Sequence, residues 1–133
     1  MTNNAKIKAL KGVPLFENCS TRQLADIAKT VDEIDLPEGR TLTQEGLSGR
    51  EFVVLAEGIA DVESNGELVN TLGPGDFFGE ISLVTGQPRT ATVTTRTPAH
   101  LFVLSAPAFR SLLARAPGIR RRVVAAAALR LAR

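Results

Sequence analysis

Apolar and polar positions change period twice along the chain, and the two changes divide it into three parts. Up to about residue 30 the period is helical. Residues 5–11 read as a short helical turn ending at Gly12, and Ser20 or Thr21 caps a second helix running to about Lys29. Leu24, Ile27 and Ala28 recur there at helical spacing and are expected to face a core. From residue 31 the period falls to two. VDEIDL begins a strand, Pro37 and Gly39 punctuate it, and TLTQEGLSG supplies a turn and a short strand. EFVVLAEG reads as a buried strand stopped by Gly58, and IADVES alternates in and out. Asn65–Gly66 is the strongest hairpin signal in the chain, with LVNTLG as the returning strand. TATVTTRTPAHLFVLS holds two β-rich runs broken at Pro98. The pattern then turns helical again. APAFRSLLARA carries Pro107 near a helix start, where its missing N–H costs nothing. Pro117 and Gly118 are expected to break that helix, and IRRRVVAAAALRLAR to form the last one.

Closely spaced strands with glycine-rich turns point to an antiparallel barrel or jelly roll. The expected fold is therefore α+β: an antiparallel β-roll of about eight strands over 31–105, N-terminal helices over 1–30 and C-terminal lid helices over 106–133. The 133 residues suit one domain with a real core and are short for two.

Charge adds a second division. Residues 1–80 hold all 14 acidic side chains and 7 basic ones, whereas 81–133 hold 9 arginines and no acidic residue. A basic tail awaiting an acidic partner is one reading, and complementary packing within one domain is the favoured one. The longest purely apolar run, Val123–Leu129, is far short of the roughly 20 residues a membrane span needs. The N-terminus MTNNAKIKALKG has no apolar signal region, and Cys19 is the only cysteine, so the cytoplasm is the expected address.

The candidate chemistry lies in GDFFGEISLVTGQPRTATV, Gly75 to Val93. Glu80 and Arg89 stand nine residues apart among small and apolar residues, a setting suited to a ligand both anionic and rich in hydroxyls. A short helix starting at Gly79 would leave its first N–H groups free for a phosphate, and Gly79 has no Cβ to keep a ligand away. Arg89 brings a planar fork for two phosphate oxygens. Glu80, a poor phosphate contact, would accept from a sugar hydroxyl, with Arg89 helping to keep it charged. Thr90 adds a hydroxyl. The bland alternative is a surface ion pair worth about 0–1 kcal/mol.

The same segment resembles the phosphate-binding cassette of the cyclic nucleotide-binding domain family, which includes catabolite activator protein and protein kinase A regulatory subunits. Gly79, Glu80, Ile81, Ser82 and Leu83, then Arg89, Thr90, Ala91 and Val93, follow its order. Upstream, EGLSGREFVVLAEGIADV is similar to the family's strand-turn-strand, with Gly46, Gly49 and Gly58 in place. Arg50 departs from the usual acidic residue, a change expected to touch the turn more than the pocket. The resemblance implies that Glu80 accepts from the ribose 2′-OH and that Gly79, Ile81 and Ser82 line ribose and cyclic phosphate. Arg89 would pair with the equatorial phosphate oxygens, and Thr90 and Ala91 would add contacts. The ligand implied is cAMP in preference to cGMP, with Thr90 the residue that bears on the base.

In the final helix Ile119, Val123, Ala127 and Leu131, with Val124 and Ala128 beside them, would cover the purine as a lid. Ordinary core packing or a homodimer seam is the competing reading of that stripe. Ligand binding would draw the C-terminal helices toward the β-roll. The expected function is a regulatory sensor with no catalysis, cofactor or metal of its own. The alternative is a ligand-sensing piece of a longer channel, kinase or transcription regulator, or a degenerate member of the family that binds poorly. A metal-dependent β-roll enzyme needs several histidines, and His100 is the only one, read as structural. No helix-turn-helix for DNA follows the last helix, and Arg120–Arg122 read as a solvated face or a contact for the acidic half.

Overall fold

A computed structural model describes residues 3–131; the outermost residues of the expected 1–133 domain lie outside the described ones. Helix α1 (Asn3–Lys11) leads through a 3-10 turn (Pro14–Phe16) to α2 (Thr21–Thr30). Ser20 caps α2: its Oγ accepts from the Gln23 N–H at 3.1 Å, and Gln23 Oε1 accepts from the Ser20 N–H at 2.9 Å. That reciprocal box is worth about 1 kcal/mol. Eight strands follow: β1 (Asp32–Leu36), β2 (Thr41–Thr43), β3 (Glu51–Glu57), β4 (Ala60–Ser64), β5 (Glu67–Leu72), β6 (Phe77–Phe78), β7 (Thr92–Thr95) and β8 (Ala99–Ser105). A short helix, α3 (Glu80–Thr85), interrupts them between β6 and β7, and α4 (Ala106–Arg115) and α5 (Pro117–Leu131) close the described chain.

The strands form two antiparallel four-stranded sheets, in the orders β1-β8-β3-β6 and β2-β7-β4-β5. This is the expected β-roll with flanking helices. Alternation along β3 and β8 shows why both read as nearly continuous apolar runs. Phe52, Val54, Phe102 and Leu104 face the helices, whereas Val53, Leu55, Leu101 and Val103 face the interior of the roll. Phe52 stacks on Phe109 with ring centroids 4.5 Å apart, which docks α4 onto β3. Burying one such side chain contributes about 1.5–3 kcal/mol. Leu24, Ile27 and Ala28 lie in the helical core as the spacing predicts. Asn65 and Gly66 both take positive φ, 54° and 80°, the pairing a tight two-residue hairpin turn requires.

Two local expectations change, and one short strand is new to the sequence reading. Helix α1 starts before residue 5. The helix break falls at Ala116, whose φ of −129° and ψ of 83° leave the helical region, while Pro117 and Gly118 open α5. Phe77 and Phe78 form a strand, pairing with Val54 and Val53. The charge division is partly internal: Arg96 pairs with Asp61, Arg122 with Glu17 at 3.0 Å, and Arg130 with Glu80 at 2.6 Å. Arg122 also donates to the Pro14 carbonyl at 2.6 Å, tying α5 to the 3-10 turn. Among the described residues Arg120 and Arg121 have no carboxylate partner and are exposed, as a solvated face would be.

Candidate functional site

Strand β6 hangs on β3, and this short pairing delivers the chain to Gly79 at the edge of a cavity of about 420 Å³. The cavity lies between α3, the β4–β5 hairpin and the end of α5. Gly79, Glu80, Ile81, Ser82, Arg89, Thr90 and Ala91 all line it.

Gly79 caps α3 with a φ of +99°, a conformation L side chains rarely adopt. A Cβ there would lie 2.4 Å from the Glu51 carbonyl oxygen and 2.7 Å from Arg89 Nη1. The protein's own close packing thus already requires a glycine here, a reason the sequence did not suggest. The first backbone bond of α3 runs from the Leu83 N–H to the Gly79 oxygen at 3.4 Å. The N–H groups of Glu80, Ile81 and Ser82 precede it, as expected of a helix start.

Arg89 is 8% exposed. Its Nη2 donates to the Glu51 carbonyl at 2.7 Å, while Nε and Nη1 are buried with no partner. A second glycine makes room for it: a Cβ on Gly49 would fall 1.8 Å from Nε. The backbone is strapped on both sides, Arg89 N–H to the Leu47 oxygen and Gly46 N–H to the Arg89 oxygen, each at 2.9 Å. Burial pushes the guanidinium pKa down, and the nearby Glu51 and Glu80 carboxylates pull it back up. A guanidinium starts so far above neutrality that it stays a cation.

Glu80 is 1% exposed. Its Oε1 accepts from Arg130 Nη1 at 2.6 Å, and its Oε2 is buried with no partner. Arg130 also donates from Nη2 to the Phe77 carbonyl at 2.7 Å and sits over the Phe77 ring, 5.3 Å from the centroid. Two expectations are therefore corrected. Glu80 and Arg89 are not a surface ion pair, because both are buried and neither bonds the other. The direct cation on Glu80 is Arg130, fifty residues on in the sequence, not Arg89.

The lid stripe also divides. Ile119 and Val123 pack in the helical core and Ala127 is buried with them, so the competing core reading holds for most of the stripe. Val124 and Ala128 face outward, and only Leu131, with Arg130, reaches the cavity. Sequence reasoning missed Arg130 and Gly49. Arg130 had only an unpaired charge in an apolar helix as a signal; Gly49 had its place in the glycine-marked strand-turn-strand, which did not connect it with Arg89. Arg50 is exposed and lies away from the cavity lining. Among the described residues no group of three or more His, Cys, Asp or Glu side chains could hold a metal ion.

Chemically, the cavity offers a cation with two unengaged nitrogens, free backbone donors, one unengaged carboxylate oxygen and apolar walls. The model of the cyclic nucleotide-binding domain matches residues 33–116, more than half of the chain. The chain belongs to the cyclic nucleotide-binding domain family. Among curated proteins it is similar to a cAMP-dependent protein kinase regulatory subunit of Aspergillus niger, with 35% identity over 115 residues. That match takes in 85% of this chain and 28% of the relative, so the chain spans little more than a quarter of that protein. Among solved structures, the regulatory domain of Toxoplasma gondii PKA with cAMP superposes with a TM-score of 0.82 at 22% identity, over 93% of this chain and 49% of that one. The regulatory subunit of a cAMP-independent protein kinase A from Trypanosoma brucei gives 0.82 at 20% identity, over 90% and 46%. These two share the fold of the cyclic nucleotide-binding domain described above.

Proposed function

We propose that this cyclic nucleotide-binding domain is a regulatory sensor that takes a cyclic nucleotide into the cavity and performs no reaction on it. The observation that carries the reading is a buried guanidinium with two partnerless N–H groups beside a buried carboxylate with one partnerless oxygen. Buried groups left unsatisfied cost about 1–3 kcal/mol each, more when charged, and a fitting ligand removes that cost. The cyclic phosphate accepts from Nε and Nη1 of Arg89 and from the N–H groups of Ile81 and Ser82. The ribose 2′-OH donates to Glu80 Oε2, so the Arg130 bond to Oε1 survives binding. Gly79 lines the sugar, and Thr90 and Ala91 add contacts beside the phosphate.

The nucleotide proposed is cAMP, the ligand in the Toxoplasma structure and the nucleotide on which the kinase of the Aspergillus relative depends. The Trypanosoma relative, named cAMP-independent, has the same fold, so the fold alone leaves the base open. Helix α5 supplies both core residues and Arg130, which makes it the element through which binding reaches an effector domain or protein. Any such coupling needs contacts that differ between the two states. A cytoplasmic setting suits this role, and among the described residues no helix is long and apolar enough to cross a membrane.

Calorimetric titration of cAMP and cGMP into the wild type and Arg89→Leu tests the reading. The substitution should weaken binding at least tenfold, about 1.4 kcal/mol or more. An unchanged affinity would remove Arg89 from the phosphate.

A further inference from the structure

Away from Arg89 and Glu80 the cavity is walled by β4 and β5, chiefly Val62, Val69 and Leu72. Asn70 interrupts this apolar wall. Leu72, on the same side of the β5 pleat, is buried, whereas Thr71 between them is exposed, so Asn70 belongs to the inward row. The Thr71 backbone N–H donates to Asn70 Oδ1 at 2.8 Å. A backbone donor can serve only the amide oxygen, so this bond fixes which way round the amide lies. Oδ1 is held by the strand, and the Nδ2 protons are left for whatever enters the cavity. Nearby Ser64 spends its hydroxyl proton inside the protein, between Glu45 at 3.4 Å and the Thr90 carbonyl at 3.2 Å. Asn70 is then the oriented donor of this wall.

In the sheet order β2-β7-β4-β5, β5 stands two strands from β7, the strand that follows Arg89. At about 4.8 Å per strand that is roughly 10 Å, a span that leads from a phosphate to the far edge of its base. This step rests on the nucleotide reading above: phosphate at Arg89 and ribose at Glu80 leave the base against β4 and β5. We infer that Asn70 reads the six-position edge of the purine. Guanine presents two acceptors there, N7 and O6, and both suit a donor. Adenine presents N7, which Nδ2 can serve equally, but beside it an amino donor in place of the second acceptor, facing an amide whose oxygen is engaged by Thr71. Asn70 therefore shifts the balance toward 6-oxo purines, relative to an apolar residue at the same place, whichever nucleotide binds more tightly overall. Thr90 acts separately, since its hydroxyl could meet only a 2-amino group.

Three nucleotides separate these contributions: cAMP, cGMP and cyclic IMP, which has the 6-oxo group but no 2-amino group. Asn70→Val should weaken cGMP and cyclic IMP alike by about three- to tenfold, the range of one neutral hydrogen bond. Its cAMP affinity should fall clearly less than that of either 6-oxo nucleotide, because adenine loses only the N7 contact. Asn70→Asp, an acceptor in place of a donor, should move the ratio further toward cAMP and serves if the valine variant folds poorly. An equal change for all three ligands, or none, overturns the role of Asn70 alone. Failure of the wild type to bind any of them overturns the nucleotide reading, and this inference with it.

Discussion

Two charged clusters in the same β-roll have opposite accounts. On the β1–β8 edge, His100 stands between Asp35, 2.6 Å from Nδ1, and Glu33, 2.8 Å from Nε2. Both ring nitrogens must donate to satisfy both carboxylates, so with the ring as imidazolium the cluster is complete within itself. It is also open to water, with the Asp35 side chain 86% exposed. Across the roll, Arg89 and Glu80 are sealed from water and still hold three partnerless atoms, Nε, Nη1 and Oε2. A complete, solvated cluster explains itself as a strand clasp. An incomplete, buried one persists only where something else satisfies it, and that separates a binding site from a structural feature when both consist of ordinary charged side chains.

The sharpest way to break the comparison is to evict Arg89 without touching it. A Cβ on Gly49 would sit 1.8 Å from Nε and 2.2 Å from Cζ, closer than any side chain tolerates. Gly49→Ala should displace the guanidinium, cost about 1–3 kcal/mol as overpacking, and weaken nucleotide binding at least tenfold. Gly39→Ala is the matched control. Its φ of +81° strains any side chain, but nothing lies within 4 Å of the new Cβ and Gly39 is outside the cavity lining. Its strain of about 1–2 kcal/mol should appear in thermal unfolding while affinity stays within about twofold. Equal effects of the two on binding would deny Gly49 its part in the site.

The roll was legible because β3 and β8 carry apolar residues on both faces and Asn65–Gly66 marks its hairpin locally. The cassette was legible for the same reason: Gly79 to Arg89 are neighbours in sequence, so order and spacing carry the information. Arg130 and Gly49 were not. Arg130 meets Glu80 only because α5 folds back across the cavity. Gly49 matters through a Cβ it lacks, and no periodicity reports an absent atom. The apolar stripe of α5 was only partly legible for a related reason: Leu131 reaches the cavity, but most of the stripe does not. An all-apolar stripe does not say what covers it, and here Ile119 and Val123 are covered by the helical core.

Glu80→Gln probes the second incomplete group with less disruption. The amide oxygen can still accept from Arg130, but the atom replacing Oε2 becomes a donor and cannot take the proton of a ribose hydroxyl. Charge-assisted hydrogen bonds are worth about 1.5–3 kcal/mol, so an affinity loss of about tenfold or more is expected by calorimetry. 2′-Deoxy-cAMP should lose far less between wild type and variant, because it brings no hydroxyl for Glu80 to read. If both ligands lost equally, Glu80 would be holding Arg130 in place and not reading the sugar.

The smallest effect belongs to the complete cluster. Partial burial opposes the charge on His100, but hydrogen bonds to Asp35 and Glu33 and the fields of both carboxylates outweigh it and raise the pKa above its usual 6.5. A group raised on folding contributes fully below its unfolded value. The clasp should therefore be intact below about pH 6.5 and fade as pH climbs through the raised value. Thermal unfolding of the wild type and His100→Gln should differ by no more than about 1 kcal/mol at pH 6, as expected of a solvated pair. The difference should close once the pH has climbed past the raised value. Nucleotide affinity should be the same in both proteins throughout, because the clasp lies outside the cavity lining. A pH-dependent affinity that vanished in His100→Gln would join the two clusters energetically and end the separation drawn between them.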